Sequence, residues 1–123
     1  MKKIDQIIYG LFGGGALLYG IVNLLFPAIL VKEAASSFLV SHIMREQAAA
    51  AIFVGLMSLW CISNYERRRV VHYFLLVATF LLAAIHWFDY LSGHLDWMAP
   101  LYTTVPFVVL LLMIVPRRAM AST

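Results

Sequence analysis

The chain has 123 residues, room for one domain and no more. Of these, 63% are hydrophobic and 12% charged, with a mean hydropathy of +0.90, whereas soluble domains run at about 45–50% apolar and about 25% charged. That balance excludes disorder, a nucleic-acid-binding domain and, with Cys61 as the one cysteine, a secreted disulfide scaffold.

A helix needs about 20 mostly apolar residues to cross roughly 30 Å of hydrocarbon. Four stretches qualify, and their unbroken apolar runs argue against the short alternating segments of a membrane barrel. The first span is expected over 4–26, ending before Pro27. It is too long for the apolar region of a signal peptide, and no small-x-small cleavage site directly follows Phe26. Five of the seven glycines lie in it: Gly10, Gly13, Gly14, Gly15 and Gly20. Lipid tails are as apolar as leucine, so membrane helices associate where small residues let backbones approach. Gly10-xxx-Gly14 and Ala16-xxx-Gly20 are such pairs. The 27–42 connection is longer and moderately polar, and is expected along the membrane interface.

The second span is expected over 43–63. It offers Ala48 to Ala51 and the pair Ala51-xxx-Gly55, which predicts a tight seam against the first span. The same pattern also suits self-association. The short 64–69 turn, Asn64-Tyr-Glu-Arg-Arg-Arg, predicts that the second and third spans are antiparallel neighbours. The third span is expected over 70–91, followed by a second short turn over 92–97. The fourth is expected over 98–115, stopped by Pro116, with Pro106 free to kink it. Trp87, Tyr90, Trp97 and Tyr102 mark one boundary of an aromatic belt, and Tyr65 and Tyr73 the other.

The positive-inside rule sets the orientation. Lys2, Lys3, Arg67, Arg68, Arg69, Arg117 and Arg118 fall on the side shared by both termini, against Asp5 and Glu66, a balance of +5. The other side holds Lys32 and Arg45 against Glu33, Glu46, Asp89 and Asp96, a balance of −2; the two sum to +3. Both termini are therefore expected in the cytoplasm. The expected fold is all-α, one antiparallel bundle of four transmembrane helices over 1–123.

Ionisable groups within a membrane are costly, so their positions carry information. None falls near the midplane, around Gly15, Val54, Phe80 and Val108, which argues against a proton- or ion-coupled carrier. They gather instead at the outer end. The second span opens His42-Ile-Met-Arg45-Glu46-Gln47, and the third closes His86-Trp-Phe-Asp89-Tyr90. Helical spacing puts His42 and Glu46 on one face, and His86 and Asp89 on another. Asn23 and Tyr19 from the first span, and Tyr102, Thr103 and Thr104 from the fourth, reach a similar level. The candidate binding set is Arg45, Glu46, His86, Asp89, Asn23, Tyr90 and Tyr102.

Three readings fit this cluster. One is a pair of structural ion pairs, Arg45 with Asp89 and Glu46 with His86. Another is a polar pocket for the head group of an amphipathic ligand, a quinone or a lipid. The last is a metal site on His42, Glu46, His86 and Asp89. His94 and Asp96 read as solvated, Cys61 as a packing residue, and His72 as an interfacial residue beside the arginine run.

The order of features resembles the DoxX-like group of small four-helix membrane proteins. The residues that carry the likeness are Gly20-Ile-Val-Asn23-Leu-Leu-Phe-Pro27, Arg45 before Ala48 to Gly55, and the polar end of the third span from His86 to Gly93. Where that group often has an arginine near the outer end of the third helix, this chain has His86 and Asp89. The resemblance implies a multi-pass protein of a bacterial inner membrane. It also implies a role like that of relatives that serve as membrane subunits of oxidoreductases handling sulfur compounds and quinone. The expected function is a non-catalytic accessory or anchoring subunit of a larger membrane complex, its partners being membrane lipid and other membrane subunits or further copies of itself. A quinone- or lipid-binding redox protein is the alternative.

Overall fold

The computed structural model describes the backbone of residues 2–121 and the side chains of residues 2–113. The described residues form helices joined by short turns, without strands: α1 (Lys2–Leu25), α2 (Pro27–Leu30), α3 (Phe38–Ser63), α4 (Arg69–Leu91) and α5 (Met98–Ala121), with single 3₁₀ turns at Lys32–Ala35 and Tyr65–Arg67. Three of these helices, α1, α3 and α4, are long and apolar enough to cross a membrane; the apolar part of α5 among the described residues is Met98–Met113. The chain divides into two compact units, residues 1–68 and 69–123.

The ends of these helices follow from local chemistry. Pro27 cannot continue α1, and it pushes Phe26 out of the helical region to φ −137° and ψ 60°. Helix α3 starts at Phe38, five residues before the expected 43. Ser37 caps it there, its hydroxyl oxygen accepting from Val40 N at 3.3 Å. Hydropathy marks where a helix enters hydrocarbon, and α3 begins beyond that level. The 27–42 connection likewise contains two helical turns. Helix α4 ends at Leu91, two residues before Gly93, the one residue with positive φ (79°) among those described. Gly93 N donates to Tyr90 O at 3.0 Å and His94 N to Asp89 O at 2.9 Å, the paired bonds of a glycine-terminated helix. Helix α5 runs through Pro106 and continues past Pro116 to Ala121, so Pro116 does not stop it.

In unit 1, α1 and α3 pack antiparallel along a seam of small residues. A methyl group added at Gly13 would lie 3.0 Å from the Gly55 carbonyl oxygen. One at Gly20 would lie 2.6 Å from Ile52 Cγ1 and 2.9 Å from the Ala48 carbonyl oxygen. At Gly55 it would lie 2.7 Å from Leu17 Cγ. The expected partners are right and the expected register is not. The seam uses Gly13 and Gly20 against Ala48 and Gly55, each pair seven residues apart. Among the described residues, Gly14 and Gly15 have nothing within 4 Å of an added methyl. A seven-residue repeat keeps one narrow stripe of each helix facing the other, as in left-handed membrane bundles.

The buried stripe is small or polar except at Met44: Asp5, Tyr9, Gly13, Gly20 and Asn23 on α1, and Ser41, Met44, Ala48, Gly55, Ser58 and Cys61 on α3. Large apolar side chains point outward, Leu11 at 75% and Leu18 at 67% exposure among them. That inversion suits a lipid surround, in which leucine gains nothing by burial.

Unit 2 is the hairpin of α4 and α5. Three contacts at successive heights show their antiparallel course. His72 Nε2 lies 3.0 Å from the Leu110 carbonyl oxygen, Phe80 and Phe107 meet with ring centroids 5.5 Å apart, and Trp87 Nε1 donates to Thr104 Oγ1 at 2.9 Å. His72 is therefore a buried residue of the hairpin.

Candidate functional site

The densest polar cluster of unit 1 lies where the first turns of α1 meet the 64–68 turn. Asp5 and Tyr9, four residues apart, share one face of α1. The 3₁₀ turn after α3 carries Tyr65 and Arg68 back onto that face. Tyr65 donates its hydroxyl to Asp5 Oδ2 at 2.6 Å, and Arg68 Nε donates to the Tyr9 hydroxyl oxygen at 3.1 Å. Arg68 Nη1 also donates to the Tyr65 carbonyl oxygen. Arg68 Nη2 lies 3.8 Å from Asp5 Oδ2, and both side chains are buried. The guanidinium carbon sits 3.6 Å from the Tyr65 ring centroid and 5.9 Å from that of Tyr9, within the range of cation–π attraction. Cys61 is fully buried, and Lys2 and Glu66 close the exposed rim at 3.3 Å.

Electrostatics explain the arrangement. A lone carboxylate or guanidinium would not persist in a site of low polarity; each does here because the other neutralises it and tyrosine hydroxyls share the hydrogen bonding. Chemically, the cluster can hold charge and fix the turn against α1. Sequence reasoning missed it. Asp5 as the one acid of the first span, with Tyr9 four residues on, was an available signal. Nothing in the arginine run set Arg68 apart from Arg67 and Arg69.

The expected site residues are distributed as follows. In unit 1, Glu46 meets His42 of its own helix at 3.4 Å, both exposed, as their spacing predicts. Phe38 stacks on His42 with ring centroids 5.9 Å apart, and Arg45 is exposed. Asn23 is fully buried, and neither its amide nitrogen nor its amide oxygen has a hydrogen-bond partner among the described residues. An amide in that state leaves two donors and an acceptor unused.

In unit 2, His86 is half-buried, and its Nδ1 lies 2.8 Å from the Leu82 carbonyl oxygen of its own helix, to which it donates. Asp89 is half-buried. Tyr90 meets Trp87 edge-on with centroids 5.8 Å apart, and Tyr102 is exposed. Thr103 and Thr104 bond backward to carbonyl oxygens of their own helix, Thr104 to Pro100 O at 2.6 Å. Among the described residues, no three or more His, Cys, Asp or Glu side chains are grouped to hold a metal ion.

Fold and sites together define a helical membrane protein. Comparison of the chain with family models, with curated proteins and with solved structures finds no match.

Proposed function

We propose that this protein is a small multi-pass subunit of a larger membrane assembly, with an accessory or anchoring role. The observation that carries this reading is the surface of unit 1. Asp5, Asn23, Ser41 and Ser58 are turned inward, and the face of α1 bearing Leu11 and Leu18 also bears Gly14 and Gly15, where an added methyl would meet nothing within 4 Å among the described residues. Exposed small residues beside large apolar ones suit helix-to-helix contact. Four crossings with both termini in the cytoplasm of a bacterial inner membrane complete the reading, supported by the lysine and arginine distribution. The resemblance to DoxX-like proteins supports an oxidoreductase as the partner complex. The test is purification from native membranes in mild detergent: a heavier assembly with a reproducible second subunit is expected, and a monodisperse monomer with no co-purifying protein overturns the reading.

A second reading, a binding protein for a quinone or lipid head group, has one observation in its favour, the buried unpaired amide of Asn23. It predicts that Asn23→Leu lowers the quinone or lipid extracted with the purified protein while the helix content stays unchanged. Retention equal to the parent's overturns it.

A further inference from the structure

The segment joining α1 to α3 does not have the surface of a water-facing loop. Phe26, Ile29 and Leu30 are spaced to share one side of the turn made by α2, and they are exposed by 59%, 68% and 49%. On the first turn of α3, Phe38 and Leu39 are exposed by 80% and 65%. Between them the chain turns polar, with Lys32, Glu33 and Ser36 exposed. Backbone bonds hold the segment in shape: Ile29 N to Phe26 O, Val31 N to Pro27 O and Ser37 N to Glu33 O, at 2.9–3.0 Å. The apolar side chains are therefore presented by an ordered backbone.

The seam gives their depth. Gly13 lies against Gly55 and Gly20 against Ala48 and Ile52, so the antiparallel register brings Pro27 near the level of Ile43. Helix α1 is about 36 Å long at 1.5 Å per residue, enough to cross roughly 30 Å of hydrocarbon. Leu25 thus falls at the boundary and Phe26 just beyond it. The exposed apolar side of α1, through Leu18, Ile21 and Leu25, runs on into Phe26, Ile29 and Leu30.

We propose that residues 26–39 lie in the plane of the membrane interface, with Phe26, Ile29 and Leu30 among the upper acyl carbons and Lys32 and Glu33 among the head groups. The occupant of this surface is lipid, because the surface continues the lipid-facing side of α1 at the depth where short amphipathic elements insert. The segment is an anchor that fixes the depth of the α1–α3 pair. This rests on unit 1 spanning the bilayer.

The test uses the full chain in phosphatidylcholine vesicles, with Cys61→Ala as background and single nitroxide-labelled cysteines at Leu18→Cys, Ile29→Cys, Leu30→Cys and Lys32→Cys. Collisions with oxygen report hydrocarbon, and collisions with a water-soluble nickel chelate report solvent. The oxygen-to-nickel ratio at positions 29 and 30 is expected several-fold above that at 32, with 18 highest. Ratios at 29 and 30 equal to that at 32, with 18 still oxygen-rich, overturn the anchor alone. So do labels at 29 and 30 shielded from both reagents, which would mean that protein covers the face. A nickel-accessible 18 overturns the spanning reading and the anchor with it. Phe26→Cys repeats the measurement should a label at 29 or 30 disturb the turn.

Discussion

Arg68 and Asp5 show how much one residue's setting matters, because Arg67 and Arg69 flank an identical side chain. Removing one partner of a buried ion pair leaves the other charge uncompensated, at about 3–5 kcal/mol, whereas replacing both with apolar groups is near neutral. Arg68→Met or Asp5→Leu alone is therefore expected to destabilise unit 1 by about that amount, and the double variant to recover more than half of it. Arg67→Gln should stay within about 0.5 kcal/mol of the parent. Reversible unfolding in mixed micelles, followed by circular dichroism, reads all four. The glycines divide in the same way. Gly20→Ala and Gly55→Ala drive a methyl into backbone and side chain at under 3 Å, an overpacking expected to cost about 1–3 kcal/mol. Gly14→Ala meets nothing within 4 Å among the described residues and should gain up to about 1 kcal/mol from helix propensity, a difference of opposite sign in the same assay.

At the scale of the elements, the helices were legible and their facing stripes only partly so. Long apolar runs bounded by Pro27, by the arginine turn and by Gly93 place α1, α3 and α4 within a few residues. The α1–α3 seam was legible in its partners, because small residues are concentrated in both. Its register was not, since Gly10, Gly13, Gly14, Ala16 and Gly20 permit several small-residue stripes and only the facing helix selects one. The His42–Glu46 pair was legible because helical spacing alone brings it together. The Asp5–Tyr65–Arg68 cluster was not, because its members lie about sixty residues apart and meet only once the seam has formed. In unit 2 the contact of Trp87 with Thr104 pins the ends of α4 and α5 nearest the turn. Hydrogen bonds between membrane helices average about 0.6 kcal/mol and reach about 1.7. Trp87→Phe and Thr104→Val should each fall in that range, and the double variant should lose no more than the larger single loss. A thermodynamic cycle over the four proteins checks this, and strict additivity would mean the bond contributes nothing.

For the whole molecule the open quantity is the number of crossings, and charge and length bear on it differently. The apolar part of α5, Met98–Met113, covers about 24 Å at 1.5 Å per residue, short of roughly 30 Å of hydrocarbon. Ile114 and Val115 extend the apolar run, and bilayers thin around short spans at a modest energetic cost. Charge is the stronger constraint. If α5 did not cross, Arg117 and Arg118 would lie on the face holding Glu33, Asp89 and Asp96, against the preference of arginine for the cytoplasmic side. Four crossings keep seven of the nine basic residues on one face; three would leave five there. The expected outcome is therefore that single cysteines replacing Lys3 and Thr123, in a Cys61→Ala background, both resist a membrane-impermeant maleimide on intact cells and both react after permeabilisation. A cysteine replacing Ser92 should react in intact cells. Labelling at position 123 but not at 3 would leave α1, α3 and α4 as the only crossings and put the arginine pair on the outer face.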